Sequence, residues 1–163
     1  MKQAVTAKKA KSKKKERRSA TVLRKATVGA VLEGDAQAVA AWLDKGGGVD
    51  ACSSECSGMT LLIAAAMAGQ EAMVRMLLQR GASINLQNNP DGITALINAA
   101  IGGHTRTVQV LLDAKADASL QERNGRTALM WAEQEKCIAT AQLLRQHAKR
   151  QAAEQTVMQE RGL

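Results

Sequence analysis

The stretch Thr60-Leu61-Leu62-Ile63-Ala64-Ala65-Ala66-Met67-Ala68-Gly69 returns as Thr94-Ala95-Leu96-Ile97-Asn98-Ala99-Ala100-Ile101-Gly102-Gly103, and again as Thr127-Ala128-Leu129-Met130-Trp131-Ala132-Glu133. The intervals are 34 and 33 residues. Seventeen residues after each threonine stands a leucine: Leu77, Leu111 and Leu144. Four residues further, Gly81-Ala82-Ser83-Ile84-Asn85 matches Lys115-Ala116-Asp117-Ala118-Ser119. A degenerate earlier copy puts Gly34 where Gly69 and Gly103 stand, followed by Trp42-Leu43 and Gly46-Gly47-Gly48-Val49-Asp50. A period of this length marks one supersecondary unit repeated, not several unrelated elements.

Each unit reads as two short helices and a turn. Thr60, Thr94 and Thr127 stand where a hydroxyl can cap a helix N-terminus. Gly69 and Gly103 end the first, alanine-rich helix and turn the chain. The second helix carries apolar residues at helical spacing, such as Met73, Met76 and Leu77, or Val108, Leu111 and Leu112. Asn89-Pro90-Asp91-Gly92 and Asn124-Gly125 are turn sequences. One such unit cannot bury its apolar face alone, so the units must stack.

The period, the Thr-x-Leu-x-x-Ala core, Gly103-His104 after a first helix and Gly-Ala-x-Ile-Asn after a second resemble the ankyrin repeat. The resemblance covers residues 21–150 as four repeats, the first and last atypical. It implies an all-α solenoid of stacked antiparallel helix pairs with β-turn fingers. Two departures stand out: the proline that follows the threonine in the family is Leu61, Ala95 or Ala128 here, and the histidine two residues on is Ile63, Ile97 or Met130. These exchanges remove a hydrogen-bond network but keep the apolar packing. Ala65-Ala66 and Ala99-Ala100 become Ala132-Glu133 in the last unit, and Leu77-Leu78 and Leu111-Leu112 become Leu144-Arg145. A charge is tolerable there only if no further repeat covers it, so residues 127–150 read as the terminal cap. Residues 151–163 form a polar extension, expected either to prolong the last helix or to fray.

The 163 residues include 30 alanines, no Phe or Tyr, two Trp and one Pro. Small side chains must therefore fill the core, which favours helices in close approach. The net charge of +8 is unevenly placed. Residues 1–25 hold eleven Lys/Arg against one acid, a net +10, and the remainder holds twelve against fourteen, a net −2. Residues 1–20, with Lys8, Lys9, Lys11, Lys13, Lys14, Lys15, Arg17 and Arg18, read as a basic tail that cannot fold alone. Its readings are an import signal met by an import receptor, nonspecific nucleic-acid contact or attraction to anionic lipid. No aromatic residue is interleaved, so base stacking is excluded. No run approaches the roughly 18 apolar residues that cross a membrane, and no secretory signal is visible. With three Cys, too few for a disulfide scaffold, the expectation is an intracellular protein of the cytoplasm, the nucleus or both, and a monomer.

Catalytic motifs are missing: there is no Gly-x-Ser-x-Gly, phosphate-cradling loop or His-Glu-x-x-His. His104 takes the Gly-His position, a structural role in the family, and His147, among Arg145, Lys149 and Arg150, is expected to be solvated. Cys52 and Cys56 make one thiol pair where a structural zinc needs about four ligands, and they read as free thiols in an exposed turn. No enzyme activity, cofactor or metal is expected. The resemblance implies instead a protein partner bound along a concave face built from first helices and turn tips. Carried over to this sequence, that face includes Met59, Met67, Asp91, Ile93, Ile101, Arg126, Trp131 and Gln134. Its centre is apolar, an exposed row of a kind that marks contacts; the competing reading of the same side chains is packing between repeats. The expected function is an adaptor, scaffold or inhibitor. The alternative is a nucleic-acid-associated or nuclear-targeted protein whose tail contacts phosphates while the repeats bind a protein.

Overall fold

Three threonines start three helices in the same way. The Oγ1 atoms of Thr60, Thr94 and Thr127 accept from the backbone N–H of Ile63, Ile97 and Met130, at 3.2, 3.2 and 3.4 Å. Each threonine is extended while the next residue is already helical, which is the N-cap geometry. These contacts come from a computed structural model that describes residues 25–53, 57–88 and 90–160. The basic tail and Cys56 lie outside the described residues.

Among the described residues the helices in chain order are α1 (Lys25–Glu33), α2 (Ala36–Asp44), α3 (Leu61–Met67), α4 (Glu71–Gln79), α5 (Ala95–Ile101), α6 (Thr105–Asp113), α7 (Ala128–Gln134) and α8 (Ile138–Glu160). They form four helix pairs, and the fold is an all-α repeat solenoid. The first helices pack in sequence order, α1 on α3, α3 on α5 and α5 on α7. The second helices do the same from α4 to α6 to α8. A two-residue antiparallel pair, β1 (Cys52–Ser53) with β2 (Met59–Thr60), closes the first finger in the register Cys52 to Thr60.

The core runs through the stack without a break. Leu61 to Ala66 are all buried in α3, and Ala95, Leu96, Ile97, Ala99 and Ala100 in α5. Val74, Leu77, Val108 and Leu111 close it from the second helices. Each Ile or Leu so buried contributes about 1.5–3 kcal/mol. The alanines contribute less area but allow helix backbones to approach. The ends differ from the middle. Where Ile63 and Ile97 are 1% exposed, Met130 is 51% exposed, because among the described residues no further unit packs on it.

Between units, the glycine that ends each first helix receives a side chain from the next unit. A Cβ on Gly69 would lie 2.6 Å from His104 Nδ1, and one on Gly103 would lie 2.8 Å from Cys137 Sγ. His104 Nε2 sits 3.1 Å from the Met67 carbonyl, so Nε2 carries the proton and donates. The links between helix pairs and fingers are tied as well. Asp50 accepts from the Ser83 N–H and Oγ at 2.8 and 2.6 Å, and Asn85 Oδ1 accepts from the Asp117 N–H at 2.9 Å.

His147 departs from the solvated position expected for it. It is half-buried, and its Nδ1 is buried without a hydrogen-bond partner among the described residues. It lies one turn beyond Leu144, which is 3% exposed and packed in the core, so it shares the inward side of α8. The helix then continues through the polar extension to Glu160. No glycine stands in α8 where Gly81 follows α4, and Ala152 and Ala153 favour helix. No described helix is long and apolar enough to cross a membrane.

Candidate binding surface

The fingers are graded in length. The carbonyls of Ser53, Asn88 and Glu122 accept from the N–H groups of Gly58, Gly92 and Gly125, enclosing four, three and two residues. The three glycines have φ of +70°, +70° and +80°, which close the turns at a position other residues adopt only with strain. The side chains of Asn88 and Glu122 then reach back to the residue after the glycine. Asn88 Oδ1 accepts from the Ile93 N–H at 2.7 Å and Glu122 Oε1 from the Arg126 N–H at 3.2 Å. Ser53 is too short to do this across the longest finger, and its buried Oγ has no partner among the described residues. Neighbouring fingers are joined: the Arg123 N–H donates to the Asp91 carbonyl at 2.8 Å, and Gln87 Nε2 bridges the carbonyls of Gly92 and Gln121 at 2.7 and 2.9 Å.

These elements hold the expected contact residues in two rows. Met59, Ile93 and Arg126 each follow a finger glycine and precede a capping threonine. Met67, Ile101 and Gln134 are the last residues of α3, α5 and α7. Met67 and Gln134 are exposed, whereas Met59, Asp91, Ile93, Ile101, Arg126 and Trp131 are half-buried. Met59, Ile93, Ile101 and Trp131 also pack against the core. The row is therefore not a continuous exposed apolar strip: each of these side chains shows part of its surface and spends the rest on the neighbouring repeat.

Arg126 and Trp131 are brought into direct contact, the guanidinium carbon lying 4.8 Å from the ring centroid. No spacing in the sequence announces this stack. Gln134 makes a local bond, Nε2 to Glu135 Oε1 at 3.2 Å. One member of the row escaped the sequence reading. Leu32 precedes Gly34 by two residues, as Met67 precedes Gly69 and Ile101 precedes Gly103, and it is 41% exposed. The alignment of Gly34 with the later glycines was the signal that pointed to it.

The described residues contain no group of three or more His, Cys, Asp or Glu able to hold a metal ion. Cys52, exposed, and Cys137, half-buried, are free thiols.

Against known protein families, residues 80–155 match the family described as ankyrin repeats (3 copies), and residues 57–89 match the single ankyrin repeat. No curated protein matches the chain. Repeats of this kind are generally protein–protein interaction modules. The chain belongs to the ankyrin-repeat family.

Proposed function

We propose that the chain is a noncatalytic adaptor, scaffold or inhibitor whose protein partner lies along the row formed by Leu32, Met67 and Ile101 and the finger residues beside it. The observation that carries this reading is Met67. All six preceding residues of α3 are buried, yet Met67, the seventh, is 38% exposed, with Leu32 at 41% in the equivalent place of the unit before. A polar residue would cost nothing at either position. An apolar side chain repeated there supplies contact area to another molecule, and methionine adapts to irregular surfaces. Ile101→Arg and Met67→Arg test the reading. Met67→Arg places its charge at an exposed position, so the fold should persist while partner affinity falls at least tenfold. Ile101→Arg also removes packing against the core, so it should lower the urea midpoint while the chain stays folded, with the same loss of affinity. Unchanged affinity in the folded variants would refute it.

The charge of the Lys8–Arg18 stretch supports a second reading, in which the tail contacts phosphates or an import receptor and the protein works in the nucleus. Eight Lys/Arg in those eleven residues would give binding to nucleic acid that weakens steeply with salt. Deleting residues 1–20 would abolish that binding and leave binding at the repeats intact.

A further inference from the structure

Resting on the protein-binding reading above, we infer that the Arg126–Trp131 pair is a carboxylate-recognition point, and that the partner segment carries an Asp or Glu side chain beside its apolar anchors. The guanidinium lies over the indole at 4.8 Å. Its backbone is held at both ends, because the Arg126 N–H donates to Glu122 Oε1 at 3.2 Å and the Arg126 carbonyl accepts from the Glu122 N–H at 3.0 Å. Glu122, the nearest acid in sequence, is occupied by that bond and by Asn124 Nδ2 at 3.1 Å. Among the described residues, the ion pairs within 4 Å are Arg75–Glu71, Arg80–Asp44 and Arg145–Glu133, so Arg126 has no carboxylate partner.

A guanidinium stacked on one face keeps its edge donors available and has already lost much of its rotamer freedom, which lowers the cost of binding a carboxylate. A planar carboxylate is the ligand that matches that fork. The register adds direction. The finger row reads Met59, Ile93, Arg126, and the helix-end row reads Leu32, Met67, Ile101, Gln134. Both are apolar over the earlier units and polar at the last. The occupant that fits is a segment with apolar side chains over the α3 and α5 units and an acid over the α7 unit. Packed helices stand about 8–10 Å apart, so in an extended segment, rising about 3.3 Å per residue, the acid falls about three residues from the nearest apolar anchor.

The test uses the full chain and peptides selected on it from a random display library, then synthesised with amidated C-termini so that side chains supply the only carboxylates. Selected peptides should share an acidic residue near apolar ones. Replacing that acid by its amide should weaken binding about tenfold, in line with a lost charge-assisted hydrogen bond. Arg126→Gln should weaken the acidic peptide by the same factor and leave the amide peptide unaffected. Arg126→Lys should restore part of the loss. Peptides that are sensitive to Ile101→Arg but carry no acid, or are indifferent to Arg126→Gln, would overturn this inference and leave the binding row standing. Peptides indifferent to Ile101→Arg and Met67→Arg alike would overturn the row itself, and the inference with it.

Discussion

Arg145 reaches from α8 across to Glu133 of α7, its Nε and Nη2 both donating to the same Oε1 at 3.1 and 2.6 Å. One unit earlier the same two places hold Ala100 and Leu112, each buried by the unit that follows. The side chains of the pair are 55% and 42% exposed, so their mutual attraction is worth roughly 0–1 kcal/mol. Its consequence is to present charge where the earlier units present an apolar face. The double variant Glu133→Ala with Arg145→Leu would restore the pattern of the middle units on an open end that already exposes Met130. That protein should remain folded and self-associate with concentration in sedimentation velocity more strongly than the parent.

Two lysines occupy backbone conformations that the other units assign to glycine. Lys115 has φ of +68° where Gly81 has +84°, and Lys136 has φ of +58° where Gly69 and Gly103 have +65°. A left-handed conformation costs an ordinary residue roughly 1–2 kcal/mol, partly offset by the entropy glycine loses on folding. Lys115→Gly and Lys136→Gly should each stabilise the protein by about 0.5–1 kcal/mol in urea unfolding.

Two of the threonine caps, Thr60 and Thr94, are buried as well as bonded, whereas Thr127 is half-buried. Thr94 is 2% exposed, and its hydroxyl satisfies the Ile97 N–H inside the stack. Thr94→Ala should cost about 1–2 kcal/mol, while Thr94→Ser keeps the acceptor and should lose clearly less. Equal losses in the two variants would assign the effect to the methyl group.

Asp117 accepts from the Ser119 hydroxyl at 2.6 Å and from the Ser119 N–H at 2.9 Å. These bonds, the side-chain one foremost, hold its carboxyl below the ordinary aspartate range. Because the folded value is depressed, the stabilisation is present above the unfolded-state value and is lost as pH falls through the folded one. The group is exposed, so the effect on stability is small. Carboxyl NMR titration is the direct measurement, and Ser119→Ala should raise the Asp117 midpoint toward the ordinary value.

Much of this architecture was legible in the sequence because it rests on local rules repeated in register. Thr60, Thr94 and Thr127 announce helix starts, and Gly69 and Gly103 announce their ends. What escaped depends on contacts that no period encodes. The stack of Arg126 on Trp131 joins a finger to the following helix, and the half-burial of Ile93 and Ile101 follows from how closely adjacent units pack. His147 reads as solvated among its basic neighbours, yet it shares the inward side of α8 with Leu144. Leu32 was hidden by the degeneracy of the first unit rather than by any physical subtlety.

The central claim is that helix pairs unable to stand alone share one continuous interior that supports the binding row. Amide hydrogen exchange measured along the chain tests it most directly. Protection should peak in α3 and α5, where the first helices are flanked on both sides, fall toward α1 and α7, and be weakest beyond residue 150 of α8. Protection that peaks at an end of the array, or uniformly fast exchange across residues 57–145, would contradict the shared interior and the surface built on it.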